Sequence, residues 1–174
     1  MTTTDSGDCC DIAVAVRAGD WHHALPGAPG ICRRAALSAL AVAGVHDVAV
    51  ELGVVLGDDD LVAGYNRDWR EGEGPTNVLS FPLSDLVPGA PLPHAAAPGA
   101  PVLLGDVVIA LEYTGAEAAR HGIALADHVS RLVVHGVLHL LGHDHDRADR
   151  AKAMETLESA ALSRLVPSIT IGGD

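Results

Sequence analysis

Apolar and polar residues first fall into register at Asp11–Arg17 (DIAVAVR), whose alternation predicts a strand. Trp21–Gly30 carries Pro and Gly at short intervals and reads as a loop. Ile31–Ala43 is rich in Ala and Leu, lacks internal breakers and runs into Gly44, which predicts a helix. His46–Val55 (HDVAVELGVV) predicts a second strand, an edge strand or a hairpin partner of the first. Asp58 suits the N-cap of a helix running through Leu61, Val62 and Tyr65 to about Trp69. Val78–Pro82 is a short strand closed by proline. Ser84–Pro101 holds five prolines, which excludes regular structure and predicts a long surface loop, 84–101, inserted into the domain as a passive insertion, with a flap on the substrate side as the alternative. Val102–Leu111 is the most apolar strand candidate and belongs in the middle of a sheet. Two helices follow, Thr114–His121 and Leu125–Leu141, each stopped by a glycine (Gly122, Gly142), and an amphipathic helix spans about Ala148–Leu165. Residues 1–10 are expected to be a disordered tail and 167–174 a loose one, around a single domain over 11–166 without internal repeats. This order predicts an α+β fold: a small mixed β-sheet of about four strands packed with about five helices.

Composition refines that picture. With one Phe, two Tyr and two Trp in a chain that is 48% hydrophobic, the core has to be aliphatic. No apolar run reaches the roughly 18 residues of a membrane span, and Met1–Asp11 lacks a basic region ahead of an apolar one, so a soluble cytoplasmic protein is expected. Cys9, Cys10 and Cys32 make a poor disulfide or zinc-knuckle framework and fit a reducing compartment. The net charge of −12, with ten Arg and the single Lys152, argues against gripping nucleic acid by bulk electrostatics. Taken alone it favours a small-molecule enzyme or an acidic protein-binding module.

The chemistry lies in His135-Gly-Val-Leu-His139-Leu-Leu-Gly142-His143-Asp144-His145. Helical positions four apart share a face, so His135 and His139 aim at one point. Gly142 permits a left-handed turn, after which His145 can bring a third nitrogen from the other side. Three imidazoles leave a fourth tetrahedral position open, which marks a catalytic rather than a structural zinc site. A His-rich helix end could instead cap the macrodipole; that accounts for His143 or His145 but not for the pair before the turn. Zinc proteases of the metzincin type share the spacing but carry Glu after the first His, where this chain has Gly136, so peptide hydrolysis lacks its base.

These residues closely resemble the signature of the YbeY family of bacterial rRNA-maturation endoribonucleases. Two further blocks are similar to that family: Asn66 … Arg70 … Pro75-Thr76-Asn77-Val78-Leu79-Ser80-Phe81-Pro82, and Leu104-Gly105-Asp106-Val107-Val108-Ile109. The Met154-Glu155 pair also fits, and the resemblance runs from about residue 12 to 165. Two departures stand out: His143 where the family often has Tyr, and an irregular 84–101 stretch. The resemblance implies a single-strand-specific, metal-dependent endoribonuclease of small-subunit rRNA 3′-end processing and ribosome quality control. Its expected partners are single-stranded rRNA and the ribosome or small-subunit assembly proteins, with no membrane and no DNA. It implies zinc held by His135, His139 and His145, with Arg70 as the catalytic residue clamping a phosphate. A surface ion pair of Arg70 with Glu71 or Glu73 is the plainer alternative. Arg67 is expected to widen the positive patch, Asp144 to orient a ligand, Asp106 to serve its strand, and His128 to face solvent or pack. A metal-dependent hydrolase of small molecules or peptides, and a non-catalytic module that docks on the ribosome, remain as other readings.

Overall fold

The structure, a computed structural model, describes residues 9–166; the expected tails fall outside it apart from Cys9 and Cys10. The chain runs β1 (Cys10–Val16), α1 (Trp21–Ala24), α2 (Ala28–Val42), β2 (Val50–Gly57), α3 (Asp59–Arg70), β3 (Val78–Pro82), β4 (Val102–Ala110), α4 (Leu111–His121), α5 (Leu125–Leu140) and α6 (Ala148–Leu165). The four strands form one mixed sheet in the order β1-β2-β4-β3, parallel except for the antiparallel β3–β4 pair. The α+β fold with a four-stranded mixed sheet is therefore present, with six helices among the described residues.

Alternation along β4 divides its side chains between two cores. Val107 and Ile109 join the main core with α2, α5 and α6, whereas Val108 and Ala110 join a smaller cluster with Val62 of α3 and Leu79 of β3. The main core is aliphatic: on α2 it is built from Ala35, Ala36, Ala39 and Leu40, on α5 from Val133, Val134, Val137 and Leu138. Asp58 caps α3 as its sequence suggested, its side chain accepting from the Leu61 amide at 2.8 Å. Residues 84–101 contain no helix or strand.

Two expectations are corrected. The second strand is neither an edge nor a hairpin partner: β2 lies between β1 and β4 and runs parallel to both. A parallel neighbour needs a crossover, and α2 supplies it. Trp21–Gly30 is not a loop throughout. Trp21 is fully buried, its Nε1 donating to the Gly57 carbonyl at 2.9 Å, which anchors the short α1. Pro29 then lies in the first turn of α2, where its missing N–H costs nothing, so proline here marks a helix start.

Candidate metal centre

Helix α5 is apolar on nearly every side because it packs against α2, α6 and the sheet. Two of its half-buried polar positions, His135 and His139, lie one turn apart on the side that opens to a cavity. Their Nε2 atoms approach to 3.0 Å. Two ligands at about 2.0–2.1 Å from a tetrahedral zinc would be about 3.3 Å apart, so the pair is close to ligand spacing. After Leu140 the chain turns at Gly142 (φ 92°), whose amide donates to the His139 carbonyl while that of His143 donates to Leu138. Any Cβ at Gly142 would collide with the Leu86 carbonyl, so the turn requires glycine twice over. The turn returns His145 to the helix face, its ring 5.7 Å from His135 and 5.2 Å from His139. One ligand atom from each of the three lies within 4.8 Å of the others.

Neighbouring carboxylates hold two of the three histidines, one by its ring and one by its backbone. Glu158 of α6 lies with Oε1 2.5 Å from His135 Nδ1, so the carboxylate takes that N–H and leaves Nε2 as the free lone pair. Asp144 Oδ1 accepts from the His145 amide at 2.7 Å and so holds the segment that carries the third imidazole. Burial, reinforced by the neighbouring His135 charge, depresses the pKa of His139, while the His143 backbone opposes it. The net effect favours the neutral imidazole that a metal requires. Three nitrogens, with no fourth member in the cluster among the described residues, suit an open zinc site, so the residues present fit the ion.

The cavity is about 620 Å³ and is lined by the three histidines together with Asn66, Arg70 and Ser80. Arg70 closes α3; its Nη2 donates to the Ser80 carbonyl on the edge strand β3, and its guanidinium lies 5.3 Å from the Phe81 ring centre. It forms no ion pair with Glu71 or Glu73 among the described residues, whereas Arg67 pairs with Asp68 at 3.1 Å. Ser84, Asp85 and Leu86 line the same cavity, so the proline-rich segment starts as a wall of the site.

Gly136 faces the sheet. A Cβ there would lie 2.6 Å from Val107 Cγ1, and the Gly136 carbonyl accepts from Ser80 Oγ at 3.1 Å. His143 lines the cavity but is not in the three-histidine cluster, and burial depresses its pKa. His128 packs away from the cluster, its Nε2 3.0 Å from Glu117 Oε2, and Asp106 is a strand residue paired with Gly53 and Phe81. Burial pushes the Cys32 thiol up to about 12, making it inert.

Sequence reading missed Glu158, which lies far along the chain from His135. The signal was available, since Glu158 falls four residues after buried Met154 and three before buried Ala161. An acid on the inward face of an amphipathic helix asks for a partner. Glu155, singled out with Met154, is exposed.

A family model described as Endoribonuclease YbeY matches residues 32–166. A Paramagnetospirillum magneticum protein named Endoribonuclease YbeY is 50% identical over 155 residues, 89% of this chain and 92% of that protein. One of the same name from Parvibaculum lavamentivorans is 48% identical over 164 residues, covering 94% and 86% of the two chains. The solution structure of a Thermotoga maritima protein shares the fold, with a TM-score of 0.50, 18% identity and coverage of 88% and 91%.

Proposed function

Because this chain belongs to the Endoribonuclease YbeY family, we propose that it is a zinc-dependent endoribonuclease that cuts single-stranded RNA during small-subunit rRNA maturation in the cytoplasm. The observation that carries this reading is the convergence of His135, His139 and His145 in one cavity that Arg70 also lines.

A bound zinc ion supplies Lewis acidity and lowers the pKa of a coordinated water toward neutrality. The chain supplies the geometry and the charge. His135, His139 and His145 hold the ion, Glu158 orienting the first and Asp144 the last. Arg70 is held by the Ser80 carbonyl and the Phe81 ring with donors to spare, and a guanidinium fork matches two phosphate oxygens. Phosphoryl transfer depends on such placement and on neutralising the charge of the phosphate more than on covalent chemistry by the protein. Peptide hydrolysis is disfavoured, because the residue after His135 is a glycine packed on the sheet rather than an acid in the cavity. No helix among the described residues is long and apolar enough to cross a membrane.

The test is elemental analysis of the purified protein together with cleavage of matched single-stranded and duplex RNA. One zinc per chain and cleavage confined to the single strand are expected. Zinc with no cleavage of either substrate would leave the ribosome-docking module as the better account.

A further inference from the structure

A protein with a formal net charge of −12 must meet an RNA backbone with few cations, so the placement of its arginines is informative. Arg67, Arg147 and Arg150 are engaged by Asp68, Asp149 and Asp146. Arg33 donates to the Ile12 carbonyl, and Arg70 belongs to the metal cavity. Arg17 and Arg120 are exposed without a side-chain hydrogen bond or ion pair among the described residues, but Arg34 of α2, Arg131 of α5 and Arg164 of α6 also share one place on the surface. Each is exposed, none makes a hydrogen bond or ion pair with another described residue, and all three line one groove of about 670 Å³. Three like charges around one groove repel, and the one acid there, Asp127, offsets a single one of them. Aliphatic residues such as Ile123 and Leu162 fill the space between.

The groove is in line with the metal centre. Arg131 precedes His135 by four residues on α5, and Leu162 follows Glu158 by four on α6. The groove thus continues the α5–α6 seam at which His135 and Glu158 touch, about 6 Å further along the helix axis. A strand with one linkage at the histidines reaches that distance within a few nucleotides, at roughly 3.4 Å of rise each when stacked.

We propose that this groove is a second RNA-binding site, in which Arg34, Arg131 and Arg164 hold phosphates of a single strand whose scissile linkage lies at the histidines. The proposal rests on the endoribonuclease reading for its choice of ligand. Guanidinium forks hold the backbone, and the aliphatic residues between them give the bases a surface that a free phosphate would not need. The site answers the charge problem locally: the molecule stays acidic overall while one face along the seam is basic.

The test is the salt dependence of binding to a nuclease-resistant 2′-O-methyl single strand, read by fluorescence anisotropy on the zinc-loaded full chain. It is run beside steady-state cleavage of ordinary single-stranded RNA. The triple variant Arg34→Ala, Arg131→Ala, Arg164→Ala removes exposed, unpartnered side chains, so its folding and zinc content should match the wild type. The slope of log Kd against log salt should fall by about 2, at about 0.7 per lost phosphate contact, and Kd should rise about fivefold per arginine at 0.1 M salt. KM should rise with Kd while kcat is unchanged. Asp127→Asn should tighten binding, and the exposed control Arg147→Ala should change little. A triple variant with wild-type slope and affinity, or one no worse than Arg147→Ala, overturns the proposal. If the wild type binds with this slope but cuts no RNA, the catalytic reading falls and the groove stands. If it cuts RNA while the triple variant is indistinguishable from it, the groove falls and the catalytic reading stands. A wild type that neither binds nor cuts single strands overturns both.

Discussion

Removing the Glu158 carboxylate should weaken zinc binding without unfolding the protein. Its Oε1 lies 2.5 Å from His135 Nδ1, and the two side chains are only 22% and 29% exposed, so water screens the contact weakly. Loss of a carboxylate that orients a ligating imidazole costs about 10–100-fold in metal affinity, or about 1.4–2.7 kcal/mol. Glu158→Ala should reach the upper half of that range. Glu158→Gln keeps an acceptor oxygen but loses the charge, and should stay near tenfold. Competition against a chromophoric chelator measures the affinity. The thermal shift on adding zinc measures it again: at fixed free zinc, a tenfold weaker site forfeits about 1.4 kcal/mol of linkage stabilisation. For a chain of this size that removes about 3–6 °C from the zinc-induced rise in Tm. The zinc-free Tm should hardly move, which separates orientation of His135 from simple docking of α6. A Glu158→Ala protein with wild-type zinc affinity would refute the reasoning, and a lowered zinc-free Tm with unchanged affinity would make the residue structural.

Arg70→Ala should retain full zinc by elemental analysis and lose RNA cleavage; undiminished cleavage removes Arg70 from the catalytic role. His139→Ala should lose zinc and activity together, and full metal content in that variant contradicts the ligand assignment. Gly142→Ala places a side chain at φ 92° against the Leu86 carbonyl. Denaturant titration should show a loss of at least about 1–3 kcal/mol. Burial pushes the Glu117 carboxyl up, but hydrogen bonds from His128 and Asn77 outweigh it and hold the pKa below its usual 4.5. The folded state therefore binds fewer protons, so this stabilisation is present above about pH 4.5 and is lost as pH falls through the lower folded value. Glu117→Gln should flatten that part of a stability–pH curve, and an unchanged acid limb would show that the network contributes nothing.

Elements whose information is local were legible in the sequence. The strand Val78–Pro82, the N-cap Asp58 and the Gly142 stop need only a few neighbouring residues to be recognised. Pairing direction was not legible. Residues 46–55 alternate as a hairpin strand does, and nothing in them reveals that α2 has already carried the chain back for a parallel start. Trp21 shows the same limit: its Pro- and Gly-rich surroundings read as a loop until the Gly57 carbonyl, on a later strand, anchors its indole. The three-histidine cluster was legible because two of its members share one helix and the third follows the turn at Gly142. The partners of its supports were not: the inward face of α6 marks an acid at 158, but that it meets His135, and that Ser80 meets Gly136, are contacts that only the tertiary fold makes.

Gly136 connects the fold to the chemistry. The histidine spacing alone admits a peptidase, and the missing glutamate first reads as a subtraction from such a site. The packing gives the glycine a positive role. Val107 of the central strand lies where a Cβ at 136 would need to be, and Ser80 of the edge strand holds the Gly136 carbonyl. The close approach of α5 to β3 sets the distance between the histidines on the helix and Arg70, which is itself tied to the Ser80 carbonyl. Ser80 therefore bonds both α5, through its hydroxyl, and Arg70, through its backbone carbonyl. Any larger residue after His135 would push the helix off the sheet and widen the gap between imidazoles and guanidinium. The feature that excludes a protease base is thus the one that lets Ser80 tie the helix of the three histidines to Arg70, the proposed phosphate clamp.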